Sequence, residues 1–378
     1  MNFIKGGTDF FSLKKRELLL FLVSSVFAFL AGFSLWEIYL LKGYWHGAMP
    51  TQFDSELGWS NIPNNSIQIK GVRYSTNSLG FRSEEVNQEM KHLVLVGDSV
   101  TWGLGVDDDK TASNYLEKKL DGYQVLNLGV SGYGLDQSYL NLERTIVTLK
   151  PEIIGVVVYT GNDLVDTSTN SSYGKSKPLF VVDKKRVNLN PSTKFSPDPN
   201  NLILLKNSVG RYSCTNLLSL NLIGPKIRGW TQWSSIFNWL REKLCDIKII
   251  EELELKYVVA SLMIKFEALA EKHGANIFFV LSPEALDFSH SSEFASASGR
   301  NNSPFDYDRE GLVFFQKLFR QMNLKYLDFS TFVKTRRLNV STLYIDGVHY
   351  TSKGNDIFAD AIYNFILSKV LKRSNALS

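Results

Sequence analysis

Cysteine is nearly absent: the 378 residues hold two, Cys214 and Cys245. That excludes a disulfide-built scaffold, and with five histidines at no zinc-ligand spacing it leaves no sign of a resident metal. The two thiols can pair in an oxidising compartment or stay buried and reduced; the sequence leaves both open. A charge excess of one sign is missing too. Lys and Arg number 42 against 38 acids, a formal net charge of +4, and the first 42 residues alone hold five cations against three acids. The remainder lacks the basic footprint of a nucleic-acid binder. The glycines at 103 and 105 have neither G-x-G-x-x-G nor Walker spacing, which excludes a nucleotide cradle, so no cofactor is expected. There is no internal repeat and no low-complexity tract. At 44% hydrophobic and 21% charged, the composition is that of a globular chain.

One segment is conspicuously apolar. Leu18 to Trp36, LLLFLVSSVFAFLAGFSLW, carries no charge, and at about 1.5 Å per residue it just spans a hydrocarbon core of about 30 Å. Lys14, Lys15 and Arg16 precede it, so the positive-inside rule leaves the N-terminus in the cytoplasm. Residues 1–42 are therefore expected to be a cytoplasmic tip and a transmembrane anchor, with the bulk of the chain extracytoplasmic, which is periplasmic in a bacterium. A cleaved signal peptide is the alternative, but no clean A-x-A site follows.

Residues 43–91, rich in Gly, Asn, Ser and Pro, read as an extended linker packed on the main domain, with a small strand pair. Apolar, β-branched runs then recur at 92–96 (HLVLV), 124–128 (QVLNL), 153–159 (IIGVVVY), 276–281 (NIFFVL) and 325–329 (KYLDF). Helical patterns lie between them: TASNYLEKKL, GLDQSYLNLERTIVTL, and a long stretch ending KYVVASLMIKFEALAEKHG with Gly274 as its cap. Alternating strands and helices imply an α/β domain over residues 92–378, with a five-stranded parallel sheet covered on both faces. The gap between the third and fourth strands holds an insertion at about 165–250. It includes a hairpin-like PLFVVDKKRVNLN and an aromatic, helical WTQWSSIFNWLREKL.

Ligands of such sheets gather at the carboxyl ends of the strands. The first strand ends in Gly97-Asp98-Ser99, the second in GVSGYG (129–134), the third in TGND (160–163), and YIDGVHYTSKG places Asp346 three residues before His349. A serine hydroxyl needs a base, an imidazole suits that task, and a carboxylate fixes the imidazole tautomer. The Ser99 N–H, a glycine N–H of GVSGYG and the Asn162 amide could receive an oxyanion. Each motif alone has a structural explanation: Gly-Asp-Ser as a strand-to-helix turn, TGND as a turn, Asp346-x-x-His349 as a helix cap beside a surface histidine. Asp98 and Asp163 read as caps and loop ties, and Asp107-Asp108-Asp109 as a solvated loop.

Taken together, GDSVTWG, GVSGYG, TGND and DGVHYTSKG, in this order, resemble the sequence blocks of the SGNH, or GDSL-like, hydrolase superfamily. The resemblance covers residues 92–164 and 276–370. It implies a flavodoxin-like three-layer α/β/α sandwich and serine catalysis on esters, with some members acting as O-acyltransferases. By position it implies Ser99 as nucleophile, His349 as base, Asp346 as orienting acid, and Gly132 and Asn162 as oxyanion donors. Gly129 and Gly134 lie close to Gly132, which is chosen because it directly follows a serine. Thr160 stands where the family's third block has a glycine. The expected function is a membrane-anchored extracytoplasmic serine esterase that removes an acyl group, such as acetyl, from a carbohydrate or another envelope component. An O-acyltransferase on an exported glycan and a non-catalytic binding or assembly protein are the alternatives.

Overall fold

The computed structural model describes residues 20–29, 31, 32, 35, 50–173, 175–187, 189, 195–205, 248–288 and 311–371. Two short antiparallel hairpins come first in the main body: β1 (Thr51–Asp54) with β2 (Gly58–Asn61), and β3 (Ser66–Ile69) with β4 (Val72–Ser75). Strands and helices then alternate. β5 (Lys91–Val96) runs into the one-turn α1 (Ser99–Trp102), and α2 (Ala112–Glu117) leads to β6 (Tyr123–Asn127). Next come α3 (Leu135–Leu149), β7 (Ile153–Tyr159) and α4 (Asp163–Thr167). Beyond α4 lie the two-residue strands β8 (Ser171–Ser172) and β9 (Lys175–Ser176), then β10 (Leu179–Val182) and β11 (Leu202–Leu205). The described chain ends with α5 (Glu252–Lys272), β12 (Asn276–Ser282), α6 (Gly311–Gln321), β13 (Tyr326–Asp328), α7 (Phe329–Thr335) and α8 (Ser352–Phe365).

The five expected strands are β5, β6, β7, β12 and β13, and they form one parallel sheet in the order β13-β12-β7-β5-β6. Numbered along the chain from the other edge, that is 2-1-3-4-5, the flavodoxin-like order, which reverses between its first and third strands. Here the reversal lies between β5 and β7. The strands are continuous apolar runs because both faces are covered. Val94 and Val96 of β5, with Val156 and Val158 of β7, join the core under α3, α5 and α6. Leu93 and Leu95, with Val157 and Tyr159, join the core under α2, α7 and α8. The three layers thus follow from the period-two alternation within each strand.

In place of a hairpin within 178–190, β10 pairs with β11, and after β10 the chain turns at Asp183, whose carbonyl accepts the Arg186 and Val187 N–H groups. Leu202, Leu204 and Leu205 pack on the core, and so do Val187 and Leu189, while the intervening Lys184, Lys185 and Arg186 are exposed at the turn. Of the apolar N-terminal segment, residues 20–29, 31, 32 and 35 are helical, with exposed side chains. No helix among the described residues is long and apolar enough to cross a membrane. Cys214, Cys245 and the aromatic stretch 230–244 lie outside the described residues.

Candidate active site

The turn after β5 is built around Gly97, because a Cβ there would sit 2.7 Å from the Val157 carbonyl oxygen and collide with the Thr101 side chain. Asp98 then caps α1, accepting the Val100 N–H at 2.9 Å, which makes Ser99 the first helical residue. Ser99 is 8% exposed. Gly103, at φ +80°, ends the helix after one turn. Arg82, from the segment expected as linker, fixes the loop beyond α1. Its guanidinium donates to the carbonyls of Trp102, Gly103, Val106 and Arg73 and to the Asp108 carboxylate, and lies against the rings of Tyr74 and Trp102. Asp107 likewise bonds Lys110 and the Arg73 N–H, so these two acids of the 107–109 run tie the loop together.

His349 reaches Ser99 from the far end of the chain. Its Nε2 lies 3.0 Å from Ser99 Oγ and its Nδ1 lies 2.8 Å from Asp346 Oδ2. The second Asp346 oxygen accepts the backbone N–H groups of Val348 and His349 at 3.0 and 2.8 Å. Burial alone would raise the Asp346 pKa, but the bonds from the His349 ring and backbone, the imidazole charge and the Val348 N–H outweigh it and hold the carboxyl well below its ordinary range. The loop is seated on the end of β12: Tyr344 Oη donates to the Pro283 carbonyl and the Ala285 N–H donates to the Gly347 carbonyl.

Gly132 and Asn162 lie on the other side. The 129–134 loop runs beside the nucleophile turn, with the Val130 N–H donating to the Gly97 carbonyl at 3.1 Å. It is pinned from β2: Trp59 Nε1 donates to the Ser131 carbonyl at 3.0 Å, Asn61 Nδ2 to that of Gly129 at 3.1 Å, and the Tyr133 hydroxyl to that of Trp59. Trp59 and Tyr133 meet edge to face inside a small buried cluster with Leu57 and Val130. Gly132 has φ +81°, and a Cβ there would fall 2.8 Å from the Tyr173 ring. Asn162, buried at the start of α4, donates from Nδ2 to the Tyr173 hydroxyl at 3.2 Å. Thr160 sits at the end of β7 with its N–H on the Ser282 carbonyl and its hydroxyl within reach of Asp287.

The structure thus joins Ser99, His349 and Asp346 by direct bonds, and brings Gly132 and Asn162 together through Tyr173. Beneath them Asp163 accepts the Tyr159 N–H at 3.0 Å; burial first, then the neighbouring Asp98 and Asp166 charges, push its pKa well up. Lys177, wholly buried, bonds Asp136 and the carbonyls of Thr169 and Pro178. Sequence reasoning missed Trp59 and Tyr173. A weak signal existed for the second, since SSYGKS has the polar, glycine-containing look of a tight turn. Among the described residues no group of three or more His, Cys, Asp or Glu could hold a metal ion.

No family model and no curated protein matches the chain. Solved structures do. A putative lipolytic protein of the G-D-S-L family from Desulfitobacterium hafniense aligns over 73% of this chain and 99% of its own, at 12% identity and a TM-score of 0.35. A lipase/acylhydrolase from Enterococcus faecalis covers 73% and 95%, at 14% identity and a TM-score of 0.38. The psychrotrophic esterase EstA from Pseudoalteromonas covers 73% and 97%, at 11% identity and a TM-score of 0.36.

Proposed function

We propose that the chain is a serine esterase of the SGNH type, acting through an acyl-Ser99 intermediate. The observation that carries this is the continuous line of bonds from Asp346 through His349 to Ser99, 2.8 and 3.0 Å long, at the point where the strand order reverses. His349 takes the Ser99 proton as Oγ attacks the ester carbonyl, and Asp346 holds the imidazole with its Nδ1–H turned away from the serine and stabilises the imidazolium. The Ser99 and Gly132 N–H groups and the Asn162 amide receive the oxyanion, each donor worth about 10²- to 10³-fold in rate. His349 returns the proton to the leaving alkoxide, then activates the water that releases the acid.

The substrate is an acyl ester, such as an acetyl ester, of a carbohydrate or envelope component. The N-terminal apolar segment anchors the chain with the esterase domain outside the cytoplasm. Support comes from its helical residues, whose large side chains are exposed, Phe27 at 72% among them. The test is fluorophosphonate labelling of the full chain in detergent, with the adduct located by peptide mass, alongside turnover of p-nitrophenyl acetate. Labelling at Ser99 that is lost in His349→Ala is expected. Absence of both labelling and turnover in folded protein overturns the proposal.

A further inference from the structure

Ser171 pairs with Ser176 and Ser172 with Lys175, so β8 and β9 are joined by just two residues, Tyr173 and Gly174. Such turns demand positive φ and favour Asn or Gly. Tyr173 nevertheless adopts φ +51°, a conformation that an aromatic residue holds only when its surroundings impose it. Asp166 imposes it, accepting from Ser172 Oγ at 2.6 Å with one oxygen and from Tyr173 Oη at 3.3 Å with the other. The phenol is thereby laid across Gly132, and its oxygen takes the Asn162 Nδ2–H at 3.2 Å. Tyr173 remains 47% exposed, so the ring has a way out towards solvent.

We propose that Tyr173 is a specificity-determining residue whose phenol oxygen occupies, on Asn162, the position a substrate carbonyl oxygen must take. This rests on the esterase mechanism above. An oxyanion needs donors at about 2.7–3.1 Å, and the Asn162 donor is already engaged at nearly that distance. An ester therefore enters by exchange, its carbonyl oxygen replacing the phenol. A minimal ester has little beyond its carbonyl oxygen to offer. An ester on a larger carrier brings further contacts that offset the displacement, so Tyr173 discriminates against small, unanchored esters.

Tyr173→Phe keeps the ring and removes the competing oxygen. It is expected to raise kcat/KM for p-nitrophenyl acetate about three- to tenfold, mainly through a lower KM, and to speed fluorophosphonate labelling of Ser99 by a similar factor, an effect the size of one modest hydrogen bond. Tyr173→Ala, which also uncovers Gly132, is expected to add a gain for p-nitrophenyl butyrate relative to acetate. Circular dichroism melts establish that each variant is folded, and should the alanine variant not fold, the phenylalanine variant decides. A fall in kcat at unchanged KM in Tyr173→Phe would make the phenol an oxyanion donor and overturn the proposal. Rates equal to those of an active wild type would overturn it as well while leaving Ser99 as nucleophile. No labelling in wild type or in either folded variant would overturn the Ser99 mechanism, and the role of Tyr173 with it.

Discussion

The two halves of the site are assembled in opposite ways. On the base side Asp346 and His349 are three residues apart, and the bonds that hold the ring at Nδ1 and its backbone arise within one loop, with Asp346 half-exposed. On the oxyanion side Gly132 and Asn162 come from different loops. They meet only because Trp59, 72 residues before Ser131, pins one loop and Asp166 holds Tyr173 over both. Local bonding makes the base half tolerant of its surroundings, while the oxyanion half depends on the packing of segments far apart in the chain. Substitutions on the base side should therefore remove chemistry and spare the fold. Those on the oxyanion side should affect both.

The largest effect belongs to the residue the halves share. Ser99→Ala should lower kcat by about 10⁵- to 10⁶-fold, and a melt unchanged within a degree or two would show that only the nucleophile was lost. Asp346→Asn comes next, with an expected loss of about 10⁴-fold, because an amide no longer selects the tautomer that faces Nε2 to the serine. Turnover of p-nitrophenyl acetate measures both. If Asp346→Asn unfolds the protein instead, the base loop is more than a local device and the contrast between the halves fails.

Trp59→Ala probes the opposite half. Trp59 is 1% exposed, and its removal opens a cavity beside Tyr133 and deletes the bond to Ser131. A stability loss of about 3–5 kcal/mol is expected in urea unfolding. At a temperature where the variant is still folded, kcat should fall as well, since Gly132 is the neighbour of Ser131. Loss of stability with full turnover would mean that the 129–134 loop needs no support from β2.

The same contrast explains what could be read in advance. All five strands and the helices at 112–117, 135–149 and 252–272 were legible, because continuous β-branched runs and the 3.6-residue period are local signals that tertiary packing here reinforces. The base half was legible for the same reason: Asp346-x-x-His349 is one loop. Trp59 was not, since a tryptophan in a polar stretch gives no hint of which loop it will enter. Tyr173 was not, since a tyrosine in a two-residue turn runs against the propensity that would announce the turn. The partner of β10 was misplaced because Val187 and Leu189 are as apolar as 202–205 and pack on the same core, so apolar pattern alone does not name the strand that pairs.

The smallest expected effect lies at the seam between the halves, where Asp287 receives the Glu284 N–H at 2.8 Å and lies 3.4 Å from the Thr160 hydroxyl. Burial pushes the Asp287 carboxyl up to about 6, against the pull of those two bonds. The folded form thus holds a proton, between pH about 4 and about 6, that the unfolded form has already released, so this group's contribution to stability is greatest at low pH and is lost as pH rises through 6. Asp287→Asn cannot ionise and keeps an acceptor in place. It should be more stable than wild type at pH 7.5 by about 1 kcal/mol, a figure discounted for solvent screening, with the difference closing by pH about 4. Melting curves across that range measure it. A difference that stays constant with pH would assign Asp287 a purely geometric part in seating the Thr160 strand end, and the seam would then depend on packing rather than charge, as the oxyanion half does.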